Sequence, residues 1–238
     1  TFSVVLDSQP TADVTIGIAS SDLTEGTVST SSLTFTATNW NAPQIVTATG
    51  VDDWVDDSDI AYSLVTAAAT SADSNYHGLD ASDVAVTNND DDTAGITVSL
   101  ISGPTTEAGG TATFSVVLDS QPTADVTIGI ASSDLTEGTV STSSLTFTAG
   151  NWNVAQVVTV TGVDDWVDDG NIAYSLVTAA ATSADGNYHG MNASDVAVTN
   201  NDNDTAGITV SLISGPTTEA GGTATFSVVL DSQPTADV

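Results

Sequence analysis

The 238-residue chain contains no lysine and no arginine against 31 aspartates and glutamates, so its formal net charge is −31. Such a surface repels nucleic acid and anionic membranes, which excludes the basic footprint of nucleic-acid-binding proteins. Cysteine is also absent, so no disulfide stabilises the fold and thiols give no indication of the compartment. No apolar run approaches the roughly 18 residues of a membrane-spanning helix, and we expect no direct membrane insertion.

What the chain does contain is a long internal repeat. The segment that begins at Thr1 recurs at Thr113 and at Thr225, which sets a period of 112 residues. Residues 113–224 differ from residues 1–112 at eleven positions. Near-identity at a fixed period is the signature of tandem modules. Because the chain starts and stops inside a module, we expect the natural polypeptide to be longer.

The repeat predicts three parts in this chain: 1–94, a module that lacks its first strand; 95–206, a complete module; and 207–238, the first strands of a third. A sandwich without one strand exposes a sheet edge and part of its core. Either neighbouring polypeptide or another chain must then complete the first module. A continuous chain is the simpler interpretation, and head-to-tail completion between chains is the other.

Short runs in which apolar residues alternate with Thr and Ser indicate half-buried strands. Turn residues such as Gly, Pro and Asn separate the runs, and no long stretch has a helical period. This pattern predicts an all-β, immunoglobulin-like sandwich of about seven strands per module. The expected strands of the complete module are 96–100, 113–118, 126–130, 145–148, 156–161, 172–177 and 196–199.

The acidic residues are clustered at particular points of each module. Residues 163–169 place four carboxylates within six residues directly after a strand, and 51–57 repeat this tract. A second acidic run closes each module at 88–92 and 200–204. Two carboxylates ~4 Å apart repel by roughly 4 kcal/mol at an effective dielectric of ~20, and no side-chain cation is available to neutralise them. Such a group must point into water, take up protons or bind a metal.

Calcium is the metal that fits, because it takes 6–8 oxygen ligands from carboxylates, amides and carbonyls. Loops that meet at one end of a sandwich can supply these ligands beside the linker at 205–207, and bound Ca²⁺ would then stiffen the joint between modules. The alternative is a salt-adapted acidic surface. It predicts acids scattered over strand faces, whereas these faces carry Thr and Ser.

Three segments, 106–114, 163–177 and 202–207, resemble the Calx-beta module of sodium–calcium exchangers, which also occurs in many bacterial surface proteins. The resemblance covers the whole period and implies a calcium-binding β-sandwich. The chain departs from the family at Trp54 and Trp166, where the family often has a third acid, and at Asn203. By position, the resemblance implies these metal ligands: Glu107, Asp134, Asp164, Asp165, Asp169, Asp202 and Asp204, and in the first module Asp22, Asp52, Asp53, Asp57, Asp90, Asp91 and Asp92.

We therefore expect a calcium-stabilised structural repeat of an extracellular, secreted or cell-surface stalk, filament or adhesin extender. Its partners would be the neighbouring repeats and, in a filament, other copies of the chain. The alternative is a surface module that binds carbohydrate or protein, with Trp40 and Trp152 as a sugar platform. The sequence has no nucleophile–His–acid set, phosphate loop or cofactor motif, so we expect no enzymatic activity.

Overall fold

The computed structural model describes residues 1–238 and confirms the all-β fold, with twenty strands and no α-helix. It accordingly contains no helix of the length and apolarity needed to cross a membrane. The chain divides into two compact units, Thr1–Thr93 and Ala94–Val238. The boundary predicted at residue 206 lies inside the second unit, and the division there stays a prediction.

The first unit has nine strands. Strand β1 pairs with β5 and β3 with β6, while β4, β2, β7 and β9 form a further sheet in which β8 also pairs with β2. Its core consists of buried Val, Ile, Leu, Phe and Tyr side chains. The strands are β1 (Phe2–Val4), β2 (Val14–Ser20), β3 (Gly26–Val28), β4 (Ser32–Phe35), β5 (Gln44–Val46), β6 (Ala48–Gly50), β7 (Ile60–Thr66), β8 (Thr70–Ser71) and β9 (Val84–Asn88).

The second unit contains a sandwich of nine strands in two sheets. One sheet has the order β10-β12-β16-β14 and the other β11-β18-β17-β13-β15. All pairs are antiparallel except β11 with β18. The strands are β10 (Ile96–Val98), β11 (Thr105–Thr106), β12 (Thr111–Leu118), β13 (Val126–Ser132), β14 (Gly138–Val140), β15 (Ser144–Phe147), β16 (Gln156–Gly162), β17 (Ile172–Thr178) and β18 (Val196–Asn201).

The core of this sandwich lies between its two sheets. Along β12 the inward residues Phe114, Val116 and Leu118 are buried, as the alternating pattern predicts for a half-buried strand. They share one cluster with residues of the facing sheet, among them Phe147 and Leu176. The two inner faces therefore interdigitate as in other β-sandwiches.

Seven of the nine strands lie where alternation predicts them. The other two are short: β11 has two residues and β14 has three. Neither is long enough to show alternation, and the Gly at the start of β14 is typical of a turn. Both strands border the acidic loops, so the sequence prediction missed two elements that position the acidic residues.

Residues 207–238 form a short hairpin in the same unit, with β19 (Ile208–Val210) antiparallel to β20 (Val228–Leu230). All six residues of these strands are exposed. The hairpin repeats the β10–β12 pairing at the same register: Ile208 lies opposite Leu230, and Ile96 opposite Leu118.

Candidate metal centre

The acidic segments of the second unit meet at one end of the sandwich because of strand register. Strand β14 pairs with the end of β16, with Gly138 opposite Gly162, so Glu137 lies beside the start of the acidic tract. Strand β11 pairs with the end of β18, which places Glu107 beside the terminal acids. The N–H of Glu107 donates to the carbonyl of Asn201 (3.1 Å).

Two groups of three carboxylates form there. We call Glu107, Asp164 and Asp204 the Glu107 cluster, and Glu137, Asp165 and Asp169 the Glu137 cluster. In each cluster, one carboxylate oxygen from each residue lies within 4.8 Å of those from the other two. Both glutamates are buried, with Glu107 only 3% exposed, whereas Asp164 and Asp169 reach solvent. Each cluster is thus buried on the side of its glutamate and open to solvent on the side of an aspartate.

The tract after β16 contributes to both clusters. Asp164 joins the Glu107 cluster and the next residue, Asp165, joins the Glu137 cluster. The chain then turns through Trp166, whose φ of 65° is rare for a non-glycine residue. The Asp165 carboxylate accepts from the N–H of Val167 (2.8 Å) across this turn.

Asn200 holds the segments beneath the clusters together. Its side chain is fully buried. The amide nitrogen donates to the carbonyl of Val163 (3.0 Å) and to Oε2 of Glu137 (3.4 Å), while its oxygen accepts from the Thr105 hydroxyl (3.0 Å). A buried amide with three such partners rigidifies its surroundings. Hydrogen bonds within the protein therefore hold the buried side of the site in place.

Burial and like charge make the ionised form of these carboxyls unfavourable. Burial raises the pKa of Glu107 to about 7; the N–H of Asn203 opposes this rise, and the charges of Asp202 and Asp165 add to it. Desolvation of the carboxyl group also raises the pKa of Glu137, of Asp169 and of Asp204, and neighbouring carboxylates act in the same direction. A bound cation would relieve this penalty.

Asp202 lies beside the clusters in a different role. Its carboxylate accepts from the N–H groups of Asp204 and Gly170, both at 2.7 Å, and these bonds lower its pKa. It therefore ties the terminal acidic run to the end of the 163–170 loop.

The carboxylate of Asp204 indicates what the Glu107 cluster could bind. Oδ2 of Asp204 is buried and has no hydrogen-bond partner. Buried carboxylate oxygens are normally satisfied, because an unpaired one carries a desolvation penalty. The possible metal-ligand atoms around it are carboxylate oxygens, and the chain has no lysine or arginine that could pair with them. The donor set fits a hard cation such as Ca²⁺.

The first unit has two similar clusters. Buried Glu25 lies with Asp53 and Asp57, and Asp52 lies with Asp91 and Asp92, again within 4.8 Å. Like Asp202, Asp90 accepts backbone N–H bonds, from Ser58 (2.8 Å) and Asp92 (2.9 Å). In this unit Asp91 occupies the position that Asn203 has in the second.

The clusters include two residues that the sequence prediction omits, Glu25 and Glu137, and leave out four that it names, Asp22, Asp90, Asp134 and Asp202. Glu25 and Glu137 supply the buried carboxylates. Asp22 and Asp134 instead stabilise turns. The carboxylate of Asp22 accepts from the N–H of Thr24, and that of Asp134 accepts from the N–H of Thr136, each at 3.0 Å. The sequence gives no signal for Glu137, because β14, which follows it directly and pairs with the strand that leads into the acidic tract, is too short to show alternation.

The acidic loop also holds the chain that follows the sandwich. Oδ2 of Asp168 accepts from the N–H of Ala206 (2.7 Å), and the carbonyl of Trp166 accepts from the N–H of Gln233 (2.7 Å). The segment that supplies three of the six clustered carboxylates therefore also contacts residues 206–238.

The two tryptophans considered as a sugar platform pack against the cores. Trp40 and Trp152 are half-buried beside the hydrophobic clusters of their units. The carbonyl of Trp152 accepts from the N–H of Leu118 (3.1 Å). The exposed tryptophans are Trp54 and Trp166, within the acidic tracts.

No protein-family model matches the chain, and no curated protein matches it. Among solved structures it is similar to domains 1–6 of the surface layer protein SbsC, with 12% identity and a TM-score of 0.32. That match covers 91% of this chain and 29% of the other protein, so the chain spans less than a third of its length. A similarity at this level carries no argument about function.

Proposed function

We propose that the chain is part of a tandem array of calcium-stabilised β-sandwich modules with a structural role outside the cell, as in a stalk, filament or adhesin extender. One observation carries the metal part of this proposal. In each unit, two groups of three carboxylates converge within 4.8 Å in a chain that has no side-chain cation other than its two histidines.

The structural role is supported by repetition and by the position of the clusters. A nearly identical site in successive modules suits reinforcement better than turnover of a substrate. In the second unit, Glu107 and Asp204 would hold one ion together with Asp164, and Glu137 would hold another with Asp165 and Asp169. Since the loop that carries three of these ligands also binds Ala206 and Gln233, bound Ca²⁺ would stiffen the connection to the next module.

Calorimetric titration of the full chain with Ca²⁺ tests this proposal, with thermal unfolding in Ca²⁺ and in chelator at matched ionic strength. An ion that binds only the folded state adds about 2.7 kcal/mol at a hundred times Kd, so we expect a clear rise in Tm. Asp204→Asn should weaken binding about tenfold or more, because ligand charge sets calcium affinity. Asp134→Asn, an acid outside the clusters, should leave it unchanged.

Equal responses to Ca²⁺, Mg²⁺ and Na⁺ would contradict the calcium site, since they indicate general charge screening. A sugar-binding module is the less supported alternative, because Trp40 and Trp152 pack on the cores. Glycan binding abolished by Trp152→Ala would favour that alternative.

A further inference from the structure

A hydroxyl, an amide and a carboxyl side chain meet in the interior of the second unit, on the buried side of the acidic clusters. Thr105 lies in β11 and Asn200 in β18, and the parallel pairing of these strands sets the two residues opposite each other. Both side chains are fully buried, and the neighbouring Glu137 is only 5% exposed. Three side chains of different chemistry are thus held together away from bulk water.

Hydrogen bonds fix the order of the three groups. The Thr105 hydroxyl donates to Oδ1 of Asn200 at 3.0 Å, and the amide nitrogen of Asn200 donates to Oε2 of Glu137 at 3.4 Å. Since the amide carbon is bonded to Oδ1 at ~1.2 Å, it lies within about 4.2 Å of the hydroxyl oxygen. The hydroxyl therefore lies on one side of the amide carbon, and a carboxyl group contacts the nitrogen on the other.

The surrounding chain keeps the amide in this orientation. The backbone at Gly162 lies so close to Oδ1 of Asn200 that a Cβ there would clash with it. The amide nitrogen also donates to the carbonyl of Val163 at 3.0 Å, and the Tyr174 hydroxyl lies 3.3 Å from that of Thr105. Fixed orientation gives effective concentrations on the order of 10⁵–10⁸ M. A hydroxyl that is a weak nucleophile in water can therefore react with a neighbouring amide.

We propose that the Thr105 hydroxyl attacks the side-chain carbonyl carbon of Asn200 and that the two residues become joined by an ester bond. A bond forms between Oγ1 of Thr105 and Cγ of Asn200, and the bond from Cγ to the amide nitrogen breaks. The hydroxyl proton moves to this nitrogen, which leaves as ammonia, and Glu137 is the group in contact with the nitrogen that can deliver the proton. One alcohol and one amide give one ester and one ammonia, so the reaction needs no co-reactant.

The position of the bond suits a module that carries tension, a consequence that rests on the proposed structural role, whereas the chemistry does not. Thr105 lies near the start of the repeat at 95–206 and Asn200 near its end, 95 residues further along. Force that enters at one end would pass through the ester to the other end. The enclosed segment would stay folded, which withholds an extension on the order of 300 Å per module. Exclusion of water would protect the ester from hydrolysis.

Mass spectrometry of the intact, folded chain tests the proposal, and we expect a mass that is one ammonia below that of the sequence. Thr105→Val removes the hydroxyl at nearly constant shape and should restore the full mass, whereas Thr105→Ser should keep the loss. Glu137→Gln should leave most of the amide unreacted. Thr106→Val is the matched control, because its hydroxyl accepts from the N–H of Gly110 (3.1 Å), and it should keep the loss.

Peptide mapping of the wild-type chain identifies the bond even if a variant fails to fold. An asparagine can also lose ammonia by closing on its own backbone, which gives the same mass without a link between segments. Digestion with a protease that cuts after acidic residues should instead release a branched peptide in which tandem mass spectrometry joins Thr105 to Asn200.

Three results would overturn the proposal: a chain with the full sequence mass, a loss of ammonia without the branched peptide, or a loss that persists in Thr105→Val. Calcium titration of the same preparations separates this inference from the metal site. A chain that binds Ca²⁺ but carries no ester would overturn the ester alone.

Discussion

At the scale of single residues, the buried glutamates affect stability and cation binding in opposite directions. Glu107 is 3% exposed and shares its cluster with two aspartates, so its charge is unfavourable until a cation compensates it. The folded pKa of about 7 lies above the usual 4.5. A raised carboxyl pKa stabilises the fold fully below about pH 4.5, and this contribution is lost as the pH rises through about 7.

Glu107→Gln should therefore make the chain more stable in chelator at pH 8, because the neutral amide keeps an oxygen to accept from Asn203 and removes the buried charge. Its advantage over the wild type should grow from about pH 4.5 to above pH 7. The same variant should bind Ca²⁺ more weakly, since one charged ligand is lost. Denaturant unfolding in chelator across this pH range, with calcium titration at pH 8, measures both effects.

Glu219→Gln is the matched control for this variant. Glu219 lies one period after Glu107 in the same local sequence but is exposed, and it belongs to no cluster. Neither stability nor calcium affinity should change. If Glu107→Gln lowered stability in chelator at pH 8, the carboxylate would be stabilising the fold without a cation, contrary to the argument from burial.

At the scale of elements, strand β16 links the core to the site. Its residues alternate between the core and the opposite face: Val158 and Val160 are fully buried, while Val157 is 62% exposed. At its end the chain leaves the sheet through Gly162, over which the Thr106 carbonyl and the Asn200 side chain lie so closely that a Cβ would clash. The acidic loop thus starts from a rigid, tightly packed strand end, which explains how its carboxylates are held together.

Val158→Ala should destabilise the second unit by about 1–3 kcal/mol, because it removes two buried methyl groups and leaves a cavity. Val157→Ala removes the same atoms from the neighbouring exposed position and should cost less than about 0.5 kcal/mol. Urea unfolding of the full chain in Ca²⁺ measures both, with the transitions of the two units fitted separately. Equal losses from the two variants would contradict the inward orientation of Val158.

At the scale of the whole molecule, the net negative charge makes the stability of the fold depend on ionic strength. The chain carries a formal net charge of −31 with no lysine or arginine. Self-repulsion destabilises a compact state, and salt screens it over a Debye length of about 10 Å at 0.1 M. Screening acts on all acids together, whereas a calcium site acts only where ligands converge.

In chelator, Tm should therefore rise as monovalent salt increases, and NaCl and choline chloride should act alike, because screening depends on ionic strength. Calcium at micromolar to millimolar concentration should add a further rise at fixed ionic strength. Scanning calorimetry with both salts separates the two contributions. A Tm that does not respond to monovalent salt would show that self-repulsion is unimportant in the folded chain.

The amino-acid sequence by itself determined the repeat, the strands with clear alternation and the clustering of acids at module ends. These features follow from local rules: alternation marks a half-buried strand, and near-identity at a fixed period marks a module. The acidic tracts at 52–57 and 164–169 could also be read as candidate ligands, because charge without counter-charge is visible in composition.

Only the tertiary structure decided which acids meet. Glu137 and Asp134 lie three residues apart in the same turn. The register of β14 on β16 brings Glu137 into a cluster, whereas the Asp134 carboxylate accepts a hydrogen bond from Thr136.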